Sequence, residues 1–225
     1  MQSWGVSSRY ERRGAGEAPS KSAVCGMACA ACGAGRGSDE ERTIIAGFNA
    51  ARMTTFCIRS GSILSDYHTV QNFARANGKI DRSGTVQTFR HYWSDARYIV
   101  LLESEDGAFL SRIHTALQNP HWGIWFGRKC CIPAEPLIQE ELLPPDEARA
   151  VALNGVHPDV VEIHAETDTF EEGTDTWQDA PQSFGSPHSS GPGGRCYGSR
   201  RVKRHILTVH PVESPEPFFD FDAPL

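Results

Sequence analysis

The clearest strand pattern, β-branched and aromatic, is Arg97–Glu103 (RYIVLLE), with Asp106-Gly107 as its turn. Residues 108–117 follow with Phe109, Leu110, Ile113 and Leu117 at helical spacing, closing before Asn119-Pro120. A strand, a turn and an amphipathic helix make half of a ferredoxin-like unit. Upstream, residues 22–34 are small and apolar and predict a tightly packed helix, and residues 40–52 begin a second. Strands are expected over 54–58, 63–64, 156–164 and 201–209. The third of these is placed at a sheet edge, because Pro158 cannot donate to a ladder. Residues 66–94 are polar, basic and broken by Asn77-Gly78; with no apolar face to bury, they predict an exposed excursion. Residues 1–22 read as loop, 166–194 as a mobile acidic and then Ser/Gly/Pro-rich loop, and 211–225 as a tail. No internal repeat is visible.

Composition narrows this picture. A length of 225 residues allows one large domain or two small ones. No apolar run approaches the ~20 residues that span a bilayer, and Met1-Gln-Ser-Trp-Gly offers no apolar leader. Membrane and secreted classes are set aside, and a cytoplasmic protein is expected. Seven cysteines without a secretory signal fit free thiols better than a disulfide framework. The formal net charge of −6 conceals a division. Residues 131–181 hold 13 acidic residues and one basic, Arg149, whereas residues 195–205 hold five Lys/Arg and no acid. The rest of the chain is net positive, so a polyanionic partner stays open.

Three constellations bear on chemistry. Cys25-x3-Cys29-x2-Cys32 has the spacing that holds a [4Fe–4S] cluster in radical-SAM enzymes. It lacks the βα repeats of such enzymes and lies among Ala and Gly, where small residues pack helices, so packing is the favoured reading. A zinc site borrowing Cys130 or Cys131 is a weaker alternative. No cofactor or metal is expected. The nine histidines form no HExxH or His-x-His, and an RNase built from Tyr67, His68 and Lys79, or from His91 and Tyr92, needs groups that converge in space. The third constellation is a mixture of cations and flat rings: residues 66–70 (DYHTV) and 85–95 (TVQTFRHYWSD) bracket Arg75, Lys79 and Arg82, and Gly127-Arg128-Lys129 stands further on. Phosphates require Arg or Lys and unstacked bases require flat partners, so these segments suit single-stranded RNA; the alternative, slightly favoured on composition alone, is a solvated loop whose charges face water.

Taken together, six segments in order resemble the type I-E CRISPR-associated CasD family, subunits of the Cascade surveillance complex. Met1-Gln-Ser-Trp-Gly is similar to the family's M-Q-x-W-G, residues 19–33 to its P-[ST]-[RK]-S helix, 66–70 to D-Y-H-T-V, and 85–95 to T-[IV]-Q-T-x-R-x-Y-x-x-D. Asn119-Pro120 with Gly127-Arg128-Lys129-Cys130, and Tyr197-Gly-Ser-Arg200, complete the set.

The resemblance implies an α+β fold: a ferredoxin-like (RRM-like) domain over 1–137, with a protruding thumb insertion at about 66–95. A small β-rich C-terminal part over 138–225 would carry the 166–194 loop. It implies a non-catalytic RNA-binding subunit that holds the crRNA 5′ handle and bridges the backbone and large subunits, meeting target DNA indirectly and no membrane. A crRNA-processing endoribonuclease of the type I-C-like branch is the alternative. Arg90 is the thumb arginine expected to meet the handle, with Tyr67, His68 and Lys21 as further candidates. Trp4, Arg128, Lys129, Arg200 and Arg204 join them on charge and position. Family members begin further upstream with an apolar first strand, so the resemblance also implies that this strand is missing here and that the native start lies before Met1.

Overall fold

The computed structural model describes residues 1–5, 8–9, 12–75, 78–138, 141–154, 160–185 and 195–208. Helices form where their end signals stand. Ser20 caps α1 (Lys21–Cys32), its Oγ accepting from the Ala23 N–H at 3.2 Å, and Gly33 in the left-handed region ends it. Ser38 caps α2 (Asp39–Ala50), whose first turn carries Asp39, Glu40 and Glu41 at the positive end of the helix dipole. Asp106 caps α3 (Gly107–Gln118), accepting from the Phe109 N–H at 2.9 Å. A fourth helix not expected from the pattern, α4 (Pro145–Leu153), starts on proline, whose absent N–H is no loss in the first turn.

The described strands are β1 (Ser8–Arg9), β2 (Arg12–Arg13), β3 (Arg52–Arg59), β4 (Ser62–Ala74), β5 (Ile80–Ser94), β6 (Arg97–Glu103), β7 (Val160–Thr167), β8 (Thr174–Phe184) and β9 (Arg195–Thr208). They make two sheets, ordered β6-β3-β7-β9-β8 and β1-β2-β5-β4. The mixed α+β class is therefore as expected. The five-stranded sheet is antiparallel throughout and takes strands from both sides of residue 137.

Alternation along β6 divides the core. Leu102 packs with the helical layer, where Cys25, Cys29, Ile44, Phe48, Phe109 and Ile113 are buried and the Phe48 and Phe109 rings meet edge-on at 5.8 Å. Its neighbour Leu101 points to the other face and packs with Phe56, Ile58, Ile163 and Ala152 of α4. Cys25 and Cys29 are thus interior residues of a helix. A hydrogen bond that the Cys25 thiol gives to Cys29, and then burial, push that thiol well up, which disfavours the thiolate that a metal would need.

Three expectations are overturned. β7 is no edge: it lies between β3 and β9, paired on both sides. Pro158, the reason for the edge assignment, lies outside the described residues. The 166–194 segment is not a loop over most of its described length, because β8 runs through it and pairs with β9. Its polar composition is misleading because two of its acids, Glu166 and Asp179, pair inward. Lys21, 1% exposed, donates from Nζ to the Ala51 carbonyl and to Glu166, both at 2.8 Å. Asp179 accepts from the Lys21 backbone N–H at 2.8 Å and from Arg200 at 2.7 and 2.9 Å. Residues 186–194 and the 211–225 tail lie outside the described residues. Finally, residues 1–22 are not all loop, since β1 and β2 extend the second sheet.

The 66–94 excursion is an antiparallel hairpin. β4 and β5 pair from Ser62↔Ser94 to Ala74↔Ile80, and no residue of β4 is buried. At about 3.3 Å per residue, its 13 residues reach about 40 Å. Gly61 makes its entry possible: φ is 70°, and a Cβ there would meet the Ser94 carbonyl oxygen at 2.2 Å. No described helix is long and apolar enough to cross a membrane.

Candidate nucleic-acid interface

The root of the hairpin is assembled by the N-terminal residues. Gln2 and Trp93 exchange backbone hydrogen bonds at 2.8 Å in both directions, and Ser3 N–H donates to the Phe126 carbonyl at 3.0 Å. Trp4, 2% exposed, sets its ring 5.5 Å from that of Phe126. Its indole holds this junction together and presents no free face. Against it rests the 126–131 turn, closed by Phe126 N–H to Cys131 O at 2.8 Å. Gly127 (φ 87°) lies so close to the Ser3 carbonyl that a Cβ would stand 1.9 Å from its oxygen. Burial, with Cys130 beside it, pushes the Cys131 thiol up to about 11.

That turn delivers Arg128 onto the hairpin. Its guanidinium lies 4.6 Å from the Tyr92 ring centroid and donates to the carbonyls of His91 (3.2 Å) and Arg13 (3.1 Å). Lys129 stands 5.6 Å over Trp125. β2 runs parallel beside β5 with Arg12 opposite Phe89 and Arg13 opposite Arg90, while β4 on the other side sets Tyr67 opposite Phe89 and Asp66 opposite Arg90. Register partners share a sheet face, and successive residues alternate. One face of the hairpin root therefore carries Arg13, Arg90, Asp66, Tyr92 and the overlying Arg128. The other carries Arg12, Phe89 and Tyr67.

Electrostatics separate these cations from the rest. The ion pairs among the described residues engage Lys21, Arg52, Arg75, Arg112, Lys203 and Arg204 among others, but none of Arg12, Arg13, Arg90, Arg128 or Lys129. The Nε of Arg90 is buried without a hydrogen-bond partner among the described residues.

Of the residues expected from sequence, Arg90 and Arg128 come together, Lys129 is adjacent, and Tyr67 and His68 lie on exposed β4, on opposite faces. Lys21 and Arg200 are elsewhere, beneath the sheet, each with its charge met by Glu166 or Asp179. Burial draws the Lys21 ammonium below the usual lysine value, against the opposing pull of Glu166. Arg204 is ringed by Asp175 (3.1 Å), Glu17 (3.3 Å) and Glu162 (3.7 Å). Arg12 and Arg13 were missed; the signal was an Arg-Arg pair before Gly14 in a stretch read as loop.

Neither Tyr/His pair singled out in the sequence stays on one face, although Tyr67 and His91, two residues beyond the Tyr67 partner Phe89, do share one. Tyr67 and His68 are consecutive on β4, and His91 and Tyr92 on β5, so each pair divides between the two faces; Lys79 stands at the far end of the hairpin. No three His, Cys, Asp or Glu side chains among the described residues group as a metal site.

Comparison with known proteins places this geometry. The family described as CRISPR-associated protein (Cas_Cas5) matches residues 1–203. The chain is 27% identical over 148 residues to the CRISPR system Cascade subunit CasD of Escherichia coli (strain K12), covering 61% of this chain and 65% of that protein, just short of two thirds of its length. Among solved structures, a chain of a CRISPR RNA-guided surveillance complex superposes with a TM-score of 0.73 at 26% identity, covering 92% of this chain and 86% of that one. The crystal structure of a Cas protein superposes at 0.62, again at 26% identity, covering 92% and 90%.

Proposed function

The chain belongs to the CRISPR-associated protein (Cas_Cas5) family, and from that membership we propose that it is a non-catalytic RNA-binding subunit of a Cascade-type surveillance complex. The β4–β5 hairpin is the thumb of an RRM-like domain over 1–137, and the hairpin root grips the 5′ handle of the crRNA. Residues 138–225 complete the β-rich part. Neighbouring backbone and large subunits are its protein partners, and target DNA is met through them.

The observation that carries this reading is the convergence of Arg13, Arg90 and Arg128 on one face of an exposed hairpin, with no carboxylate paired to any of them among the described residues. In binding, Arg90 and Arg13 neutralise phosphates, and Arg128, fixed by Tyr92 and two carbonyls, supplies a preset third cation. Lys129 flanks them, and His68 extends the exposed surface along β4. Lys21, Trp4, Arg200 and Arg204 serve the fold that carries the site. The division of the Tyr/His pairs between opposite faces supports a gripping role over cleavage.

The test uses the purified chain and its cognate repeat RNA without metal. Retention of intact RNA on a filter, weakening steeply between low and moderate salt, is expected. Appearance of a product ending in a 2′,3′-cyclic phosphate would transfer the chain to the endoribonuclease reading.

A further inference from the structure

The face of the hairpin root opposite Arg90 carries a second arrangement, on which the phosphate grip makes no demand. The register sets Arg12 of β2, Phe89 of β5 and Tyr67 of β4 in one transverse row across three adjacent strands. The Phe89 and Tyr67 rings are neighbours at 5.5 Å, tilted by 60°. They are 39% and 54% exposed, and Arg12 is exposed beside them. Two large rings side by side in water leave apolar area uncovered that a monomer has every reason to bury. Nothing in the described fold covers them: no residue of β4 is buried.

Resting on the RNA-binding reading above, we propose that this row is a stacking site for one unpaired nucleotide of a single-stranded RNA, its base on the Tyr67–Phe89 pair and its phosphate on Arg12. The dimensions agree. Adjacent strands lie about 4.8 Å apart, so the row extends about 10 Å from cation to outer ring, the reach of a nucleotide from phosphate to the far edge of its base. The chemistry agrees as well. Every base has a π-face, aromatic side chains on a sheet stack bases without regard to sequence, and a guanidinium at the end of the row takes the negative charge that travels with the base. An apolar protein contact would have no use for Arg12 in line with the rings. The two faces of one hairpin then have separate roles, with Arg13, Arg90 and Arg128 following the backbone on one side and a single base turned onto the other.

The experiment uses the full chain and a set of eight-nucleotide single-stranded RNAs, each with 2-aminopurine at one position. Quenching of the fluorophore at one position and not its neighbours is expected on binding. Tyr67→Ser with Phe89→Ser should abolish that quenching and weaken binding about tenfold or more, with the slope of log affinity against log salt unchanged. Tyr67→Phe should retain the quenching, because the ring is what stacks. Arg12→Gln should instead reduce the salt slope by about 0.7. Both serines lie on exposed strand positions, and an unchanged circular dichroism spectrum confirms that the fold survives. Unaltered quenching and affinity in the double variant would overturn the stacking site while the RNA-binding reading stands, as would loss of subunit assembly with RNA binding intact, which would mark the row as a protein contact. Failure of the unaltered chain to bind any of the RNAs would remove both.

Discussion

Beneath the five-stranded sheet, Lys21 and Arg200 hold their charges against Glu166 and Asp179 at 2.7–2.9 Å, out of water. At the root of the hairpin, Arg12, Arg13 and Arg90 are paired to no carboxylate of the described residues. Both groups are cations near segments that match one family, and by residue type alone they are interchangeable. Their difference teaches that a basic residue reports a polyanion only when the fold declines to answer it. A buried cation without an acid would cost several kcal/mol, on the order of 3–5 for a broken pair, so the interior supplies acids wherever it encloses Lys or Arg. The surface has no such requirement and can leave cations for a ligand.

Breaking the buried group should have the largest consequence. Asp179→Ala leaves Arg200 only the more distant Glu166 at 3.8 Å and removes the acceptor of the Lys21 N–H, so unfolding in urea should shift by about 3 kcal/mol. Deleting the segment through β8 should abolish folding altogether, the reverse of the tolerance its composition suggests; a soluble, cooperatively melting deletion variant would show the acids of β7 and β8 to be dispensable.

Breaking the exposed group should leave the fold untouched. Arg90→Ala should weaken binding of the repeat RNA by about 1.5–3 kcal/mol in a filter assay at moderate salt, with the thermal midpoint unmoved. A lowered midpoint with unchanged affinity would place Arg90 with Lys21 and Arg200 and collapse the contrast.

Gly127→Ala addresses the connection between junction and site. The added carbon meets Ser3 O, and the left-handed φ is strained for alanine, at a cost of about 1–3 kcal/mol. Because the turn delivers Arg128, RNA affinity should fall together with stability, whereas Arg128→Gln should lower affinity with the smaller loss in the thermal midpoint.

The smallest effect belongs to the hairpin tip. Asp81 is held well below the usual carboxylate range by Arg75 first, then by the N–H groups of Gly84 and Ser83. A carboxyl depressed in the folded state stabilises above its unfolded value, and that contribution is lost as pH falls below the ordinary aspartate range. Amide exchange at Ser83 and Gly84 should therefore quicken relative to the body of β5 as the solution is taken below that range, and Asp81→Asn should remove the pH dependence. Identical profiles in the two proteins would mean that Asp81 does not order the tip.

Much of the fold was legible in one dimension. The helix ends at Ser20, Gly33, Ser38 and Asp106 are local signals, decided within a turn of backbone, and strand β6 announces itself through its five consecutive apolar and aromatic residues, 98–102. Segments whose burial depends on distant partners were misread. β8 looks like a polar loop until Arg200 stands opposite Trp177 and its acids acquire cations from β9 and a backbone N–H from α1. β7 looked like an edge until β3 and β9 flanked it. At the candidate site, the sequence displayed Arg90, Tyr67 and Gly-Arg-Lys as chemistry without position, and their order matched a family.

What residue order determined by itself was three of the four described helices, the strongest strand, the exposed hairpin segment and the family. Which cations are free, which face each ring takes, and that Arg12 and Arg13 stand beside Phe89 and Arg90 was decided only by the tertiary structure. The reason is physical: caps and periodicity act over a few residues, whereas desolvation and charge pairing act between whatever the fold sets side by side, up to 187 positions apart in the case of Arg204 and Glu17.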